Sequence, residues 1–286
     1  MNPLHIPIHR LFEKLNFLYF QINYFQKRIE RLKKDIRKNV AKHESFQIED
    51  LFHGTSLVIT DLTGPTDNGW LLKFRTGRHF VKGEEFIEQL DWFLEREASL
   101  TVQQGYEVFE SYLYDITASY LHANQKKLQI DIFKDYLPNC DTYEQKVWGS
   151  AVRGLFRRKA NSVLIDYLRE FGGNLKKAEL QEHNNRLMNL KDWFEVTTQL
   201  RHGTTHSLGK IKKDCIKKLS KDQVKLLQTI YPGQFVNGEY EITLSFESAK
   251  SAITTYAEYG FAIFKSLSVE QGYEWKNLLE KSASAG

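Results

Sequence analysis

The chain has 286 residues, of which 41% are hydrophobic and 27% are charged, so it is long and apolar enough to bury a core. This composition excludes a wholly disordered or low-complexity protein. With 17 glycines and only 5 prolines, the sequence has few breaking residues, which argues against an all-β protein built on tight turns. We therefore expect a mainly α-helical globular protein.

The expected location of the protein follows from its cysteines and its apolar runs. Cys140 and Cys215 lack metal-ligand spacing and cannot supply a disulfide framework, which is typical of a reducing compartment. No apolar run reaches the roughly 18 residues that span a bilayer, and the first ten residues have no signal-peptide pattern. The sequence therefore predicts a cytoplasmic protein without a membrane partner.

Positive charge is concentrated in two basic zones. Residues 1–44 carry ten Lys or Arg against four Asp or Glu, and residues 201–225 carry eight against two. Because each zone contributes +6 to a net charge of +4, the rest of the chain carries −8. Basic zones attract polyanions such as nucleic acid, whereas a single charge run on a helix is more often a solvated face.

A regular hydrophobic repeat marks the first predicted domain, residues 1–44. Its apolar residues recur at alternating steps of four and three, the repeat of a coiled-coil seam, and predict one long helix over about residues 8–42. The first half also carries aromatic residues off the seam, so we expect it to be buried more widely. The second half either packs within its own chain or pairs in a dimeric coil. The seam consists of Leu11, Leu15, Leu18, Ile22, Phe25, Ile29, Leu32 and Ile36, and the off-seam aromatics are Phe12, Phe17, Tyr19, Phe20 and Tyr24.

The next two predicted domains differ in their periodicity. Residues 45–83 contain two short β-prone runs separated by turn-forming residues, which predict a β-hairpin with a long loop. Residues 84–268 return to helical spacing and predict a helical bundle, followed by a tail over 269–286. The elements expected in the bundle are helices over 84–100 and about 106–120, a helix or kinked pair over 143–171, a striped helix from Leu187 to at least Leu200, a basic helix over 210–230, a lone strand at 240–244 and a last helix over 247–267.

The striped helix leads into the most informative motif, Arg201-His202-Gly203-Thr204-Thr205-His206. In a regular α-helix, side chains five positions apart, such as Arg201 and His206, point about 140° away from each other. A π-type widening of the helix, or a break at Gly203, brings these two positions to one side. We then expect a guanidinium and an imidazole in one cleft.

An arginine beside a histidine suits the cleavage of RNA without a metal or any other cofactor. His206 exchanges protons near neutral pH, as activation of the ribose 2′-OH and departure of the 5′-oxygen require. Arg201 stays charged and stabilises the phosphorane, while His202 is a second proton-transfer or phosphate-contacting group. Because one such pair is a sparse active site, we expect a two-fold dimer that brings two copies together.

The motif resembles the R-polar-xxx-H signature of the higher eukaryotes and prokaryotes nucleotide-binding (HEPN) superfamily. The resemblance covers about residues 84–268, where the motif lies near the end of a striped helix within an all-α segment. It implies a metal-independent endoribonuclease with Arg201 and His206 as the catalytic pair and an active site formed across a homodimer. HEPN members include ribonucleases of toxin–antitoxin, phage-defence and CRISPR systems, which implies an antitoxin or defence-system protein as a further partner.

Other interpretations of the same residues stay open. His202 and His206 have the i,i+4 spacing of two metal ligands, although a zinc hydrolase would need a glutamate where Gly203 lies. A purely structural interpretation makes Arg201 and the two histidines a polar helix end, which the helix dipole favours. The alternative function is a non-catalytic RNA-binding or assembly module based on the basic zones and the heptads. Both functions predict salt-sensitive RNA binding, and only the first predicts cut RNA.

Overall fold

The structure, a computed structural model, describes residues 2–40, 56–60, 71–75, 83–125, 131–138, 142–157, 159, 161–206, 209–276 and 278. The predicted mainly α-helical fold is confirmed, and the described residues include 3-10 turns at Asp131–Tyr136 and Gln181–His183. The helices are α1 (His5–Val40), α2 (Gly83–Asn124), α3 (Gln145–Phe156), α4 (Asn161–Phe171), α5 (Leu175–Ala178), α6 (Leu190–His206), α7 (Lys213–Ile216), α8 (Lys221–Ile230) and α9 (Phe246–Glu270). The strands are β1 (Ser56–Thr60), β2 (Leu71–Arg75), β3 (Lys210–Ile211), β4 (Gly233–Val236) and β5 (Glu239–Ile242).

Contacts divide the chain into two compact units. One unit combines Met1–Asn23 with Arg96–Gly286, and the other is Tyr24–Glu95. Helices α1 and α2 each contribute residues to both units, so this division falls within helices. The domain boundaries after residues 44, 83 and 268 stay predictions.

The smaller unit contains the second half of α1, the hairpin and the first turns of α2. Strands β1 and β2 pair antiparallel from Ser56 opposite Arg75 to Thr60 opposite Leu71, which confirms the predicted hairpin. Lys33 of α1 forms an ion pair with Asp91 of α2. A small apolar core is built from both helices, so the second half of the seam packs within its own chain. This core consists of Ile36, Phe86 and Leu90, with Ile29, Leu32 and Ile87 packed against them.

The first half of α1 belongs to the larger unit, where its seam is also buried. Leu11 packs so closely on α9 that a Cβ at Gly260 would lie 2.2 Å from Leu11 Cδ2. The expected wider burial is wrong for four of the five off-seam aromatics, whereas Phe12 is half-buried. Phe17, Tyr19, Phe20 and Tyr24 are all exposed, whereas Leu11, Leu15, Leu18 and Ile22 are buried.

Helix α2 is one helix of 42 residues, where two helices were predicted. Gly105 was expected near the start of the second helix but lies inside α2. A Cβ on it would lie 2.6 Å from Ile253 Cδ1 of α9, so this glycine permits the close approach of two helices. A cluster of aromatic rings lies between α2, α6 and α9, where Phe109 contacts Phe194, Tyr256 and Tyr259. None of the described helices is long and apolar enough to cross a bilayer.

The segment over 210–230 is not the single basic helix that was predicted. It forms strand β3, the one-turn helix α7 and helix α8. Ser220 is the N-cap of helix α8: its hydroxyl accepts the N–H of Gln223 while the Gln223 side chain accepts the N–H of Ser220. This reciprocal capping box fixes a new helix start.

The strand predicted at 240–244 is part of a three-stranded antiparallel sheet, in the order β3-β5-β4. Lys210 pairs with Glu241, and Gly233 pairs with Ile242. The β4–β5 turn has positive φ at Asn237 (52°) and Gly238 (83°), the conformation of a tight two-residue hairpin loop. Strand β3 contacts α6, so it brings basic residues next to the motif.

Candidate nucleic-acid site at the end of helix α6

The start of α6 is fixed by an asparagine cap. The Asn189 side-chain oxygen accepts the N–H groups of Lys191 and Asp192, each at 3.0 Å. Leu187, which was predicted on the apolar stripe, lies before the helix with φ 53° and is exposed. The stripe that anchors α6 consists of Leu190, Trp193, Phe194, Val196, Thr197 and Leu200, all of which are buried. It positions the motif at the C-terminal end of the helix.

Arg201 is half-buried and lies against an aromatic ring of α2. Its guanidinium carbon is 5.5 Å from the centroid of the Tyr106 ring. That ring in turn stacks on Phe194, with centroids 5.3 Å apart and planes 6° apart. A cation over an aromatic face is attracted by the ring quadrupole. The contact with Tyr106 of α2 therefore fixes the position of the Arg201 guanidinium.

The hydroxyl of Tyr106 is held by polar groups from two other helices. It accepts a hydrogen bond from Asn161 Nδ2 at 2.9 Å and lies 3.2 Å from Thr198 Oγ1. Burial raises the pKa of Tyr106, although these hydrogen bonds and the charge of Arg201 oppose the shift. Asn161 Nδ2 also lies 2.5 Å from a carboxylate oxygen of Glu110. Nothing in the sequence indicated this cluster, because α2, α4 and α6 supply its members from distant segments.

His202, the next residue, is exposed and lines a separate cleft, which we call the lysine cleft. This lysine cleft has a volume of about 340 Å³ and lies between α6, β3 and α7. Its lining residues are Gln199, His202, Gly203, Lys210, Ile211, Lys212, Cys215 and Lys218. The cleft therefore combines an imidazole with three lysines.

The three lysines of the cleft differ in how their charge is balanced. Lys210 Nζ lies 2.6 Å from Glu241 Oε1, and this hydrogen bond to a carboxylate raises the pKa of Lys210. Within the described part of the chain, neither Lys212 nor Lys218 has a carboxylate oxygen within 4.0 Å. Two positive charges in the cleft are thus open to an anion from solution.

Gly203 allows β3 to close this cleft. The N–H of Gly209 donates to the Gly203 carbonyl at 3.2 Å, which ties the strand to the helix end. A Cβ at position 203 would lie 2.8 Å from the Lys210 carbonyl oxygen and 3.2 Å from Ile211 Cγ1. No other residue type fits this approach without displacing the strand.

His206 is the last residue of α6, and its side chain lies outside the described part of the structure. The expected widening or break at Gly203 is absent, because α6 continues as a regular α-helix from Leu190 to His206. Gly203 serves the packing of β3 instead. Positions 201 and 206 are thus about 140° apart around the axis of α6, and one chain does not bring them to the same side of the helix.

The described part of the structure supplies no further ligands for the alternative metal site at His202 and His206. Among the residues that the structure describes, no group of three or more His, Cys, Asp or Glu side chains is arranged to hold a metal ion. His202 is accompanied in its cleft by lysines, whose positive charge repels a metal cation. The surroundings of His202 favour an anion.

Comparisons of the chain with protein-family models, with curated proteins and with solved structures found no match.

Proposed function

We propose that the protein is a metal-independent endoribonuclease of HEPN type that acts on RNA as a homodimer. The observation that carries this proposal is the lysine cleft at the end of the motif helix. His202 and the unbalanced charges of Lys212 and Lys218 meet in that cleft, and Arg201 precedes His202 on α6. Lysine binds phosphate as a point charge, and arginine binds it with two hydrogen bonds.

The proposed reaction uses the substrate's own nucleophile. A histidine takes the proton of the ribose 2′-OH, and the 2′-oxygen attacks the adjacent phosphorus. The bond from phosphorus to the 5′-oxygen breaks, and that oxygen receives a proton from the protonated histidine as it leaves. Arg201 stabilises the negative charge on the phosphorane, and Tyr106 holds the guanidinium in place. The products are a 2′,3′-cyclic phosphate and a 5′-hydroxyl.

The regular geometry of α6 is consistent with the proposed homodimer. Because the regular helix separates positions 201 and 206, we assign Arg201 of one copy and His206 of the other to one shared cleft. His202 contacts phosphate beside the catalytic pair. The resemblance to HEPN ribonucleases further suggests a cytoplasmic toxin or phage-defence effector, controlled by an antitoxin or defence-system protein.

The same regularity of α6 favours a second candidate, a non-catalytic RNA-binding module. The lysine cleft needs no second chain and no convergence of Arg201 with His206 to bind phosphates. This module binds RNA with strong salt dependence and leaves it uncut.

Incubation of the purified protein with total cellular RNA in excess EDTA, followed by mapping of the new ends, tests the proposal. We expect cleavage with 5′-hydroxyl and 2′,3′-cyclic phosphate ends, and its loss in Arg201→Ala and His206→Ala. The control His183→Ala changes an exposed histidine outside the cleft and should cut like the unaltered protein. Bound but uncut RNA supports the non-catalytic module. Ends with 5′-phosphate, or activity lost in EDTA and restored by zinc or manganese, overturn the mechanism.

A further inference from the structure

The side chain of Asn161 bridges two groups on another helix. Asn161 is the first residue of α4, and its Nδ2 lies 2.9 Å from the Tyr106 hydroxyl and 2.5 Å from a carboxylate oxygen of Glu110. Tyr106 and Glu110 are four positions apart on α2, so they lie on one face of that helix. A primary amide has two N–H donors, and Asn161 uses one on each group. All three residues belong to the larger unit.

The carboxylate of Glu110 fixes the orientation of the Asn161 amide. An ionised carboxylate only accepts hydrogen bonds, so the NH₂ end of the amide, and not its carbonyl oxygen, has to face α2. The Tyr106 hydroxyl therefore receives a donor from Asn161. Because Thr198 Oγ1 of α6 lies 3.2 Å from the same hydroxyl, α4 and α6 hold it together. Glu110 thus acts on Tyr106 through Asn161.

The ring of Tyr106 transmits this constraint to Arg201. The guanidinium carbon is 5.5 Å from the centroid of the ring, and the ring also stacks on Phe194. Stacked rings tolerate an offset, whereas hydrogen bonds at the hydroxyl restrict sliding of the ring in its own plane. The position of the guanidinium therefore depends on the hydroxyl of Tyr106 as well as on its ring.

We propose that Asn161, oriented by Glu110, is a positioning residue that places Arg201 in the active site. This inference rests on the proposed ribonuclease function, in which Arg201 stabilises the charge of the phosphorane. Such stabilisation requires the guanidinium where the charge develops, and a displacement of about 1 Å costs up to about 10²-fold in rate. The lysine cleft supplies most of the affinity for RNA, so a displaced guanidinium lowers kcat and leaves the Kd for RNA nearly unchanged.

Cleavage kinetics of matched variants test this role. Asn161→Leu removes both donors, and we expect kcat to fall by about 10–100-fold while the Kd for RNA changes by less than about two-fold. Glu110→Leu should have the same effect, whereas Glu110→Gln keeps an acceptor oxygen for Asn161 and should retain kcat. The control Asn124→Leu removes a hydrogen-bonded amide about 27 Å along α2 from Tyr106 and should cut like the unaltered protein. Equal losses in Glu110→Gln and Glu110→Leu would mean that the charge is needed, and would overturn the assigned role.

A double-variant cycle separates positioning from a general effect on the fold. Tyr106→Phe keeps the ring but removes the hydroxyl that Asn161 contacts, and on its own it should lower kcat as Asn161→Leu does. Asn161→Leu added to Tyr106→Phe should lower kcat no further, because both changes break the same connection. Losses that multiply in the double variant would show that Asn161 acts by another route.

The position of Arg201 is also measurable without RNA. Its Nε atom is buried, and the ring current of Tyr106 shifts the resonance of an N–H group near the ring. In a proton–nitrogen NMR spectrum, with Arg201→Lys identifying the signal, we expect that resonance to move in Asn161→Leu and Glu110→Leu and to stay in place in Glu110→Gln and Asn124→Leu. A resonance that does not move in Asn161→Leu overturns the proposal. A resonance that moves in a protein that leaves RNA uncut refutes the ribonuclease and supports the positioning of Arg201.

Discussion

Arg201, His202 and Gly203 are consecutive residues, and each has a different neighbour. Successive positions on a helix are 100° apart, so Arg201 faces Tyr106 while His202 faces the lysine cleft. Gly203 faces the backbone of β3. The sequence identified the motif because its residue types are those of phosphate chemistry. It did not identify Tyr106, because a residue that acts as the platform for a cation looks like any other core aromatic.

Substitution at Gly203 should disturb the cleft and the fold together. We expect Gly203→Ala to lower the free energy of unfolding by about 1–3 kcal/mol, because the new methyl group overlaps the Lys210 carbonyl and β3 must move. RNA binding should weaken as well, since Lys210 moves with the strand. Chemical denaturation and a binding titration measure the two effects.

Gly149→Ala is the matched control for Gly203→Ala. Gly149 lies within α3, and a Cβ there meets nothing within 4 Å. Because alanine favours helix more than glycine does, this variant should be unchanged or more stable by up to about 1 kcal/mol. If Gly203→Ala behaves like Gly149→Ala, then the close approach of β3 does not shape the cleft.

At the scale of elements, periodicity predicted the long helices α1 and α9 well, but it divided α2 into two helices and missed the short elements over 210–230. Helix α1 and helix α9 follow their apolar repeats over many turns, so their existence was plain from the sequence. The segment over 210–230 also repeats at helical spacing, but its repeat spans three short elements. Gly209 and the pair Ser220 and Gln223 are the signals for the breaks, since glycine favours positive φ and serine caps helices.

Hydrophobic periodicity does not predict which elements contact each other in the tertiary structure. Arg169 of α4 donates from Nε to Glu179 at 2.7 Å, and Tyr259 of α9 donates to the other carboxylate oxygen. The side chain of Glu179 is 1% exposed, and a charged group in that position needs its partner. The three groups come from separate segments, so no local pattern in the sequence indicates that they meet.

Removal of the arginine should therefore be costly. We expect Arg169→Met to lower the free energy of unfolding by about 3–5 kcal/mol, because it leaves the Glu179 carboxylate buried without its cation. Arg169→Met combined with Glu179→Gln should recover part of that loss, since no charge stays buried. Urea denaturation of the single and double variants measures both. Equal stability of the two variants would mean that solvent reaches Glu179.

At the scale of the whole molecule, the sequence predicted where positive charge is concentrated along the chain. It did not predict how that charge is arranged in space. The sequence shows two basic zones, and the second of them, residues 201–225, folds into α6, β3, α7 and the start of α8. A single helix would spread these lysines along one solvated face. Strand β3 and the residues around α7 instead bring Lys210, Lys212 and Lys218 around one cleft next to His202. The break in the helical pattern therefore creates the candidate site.

The salt dependence of RNA binding distinguishes this cleft from positive charge in general. Each lysine contact to a phosphate of single-stranded RNA contributes about 0.7 to the slope of log affinity against log salt concentration. We expect Lys212→Gln combined with Lys218→Gln to reduce the magnitude of that slope by about 1.4, because two contacts that release counterions are lost. The control Lys176→Gln combined with Lys177→Gln removes the same charge from exposed positions on α5 and should leave the slope unchanged. Equal slopes for both double variants would place the RNA outside the lysine cleft, because general charge would then account for all of the binding.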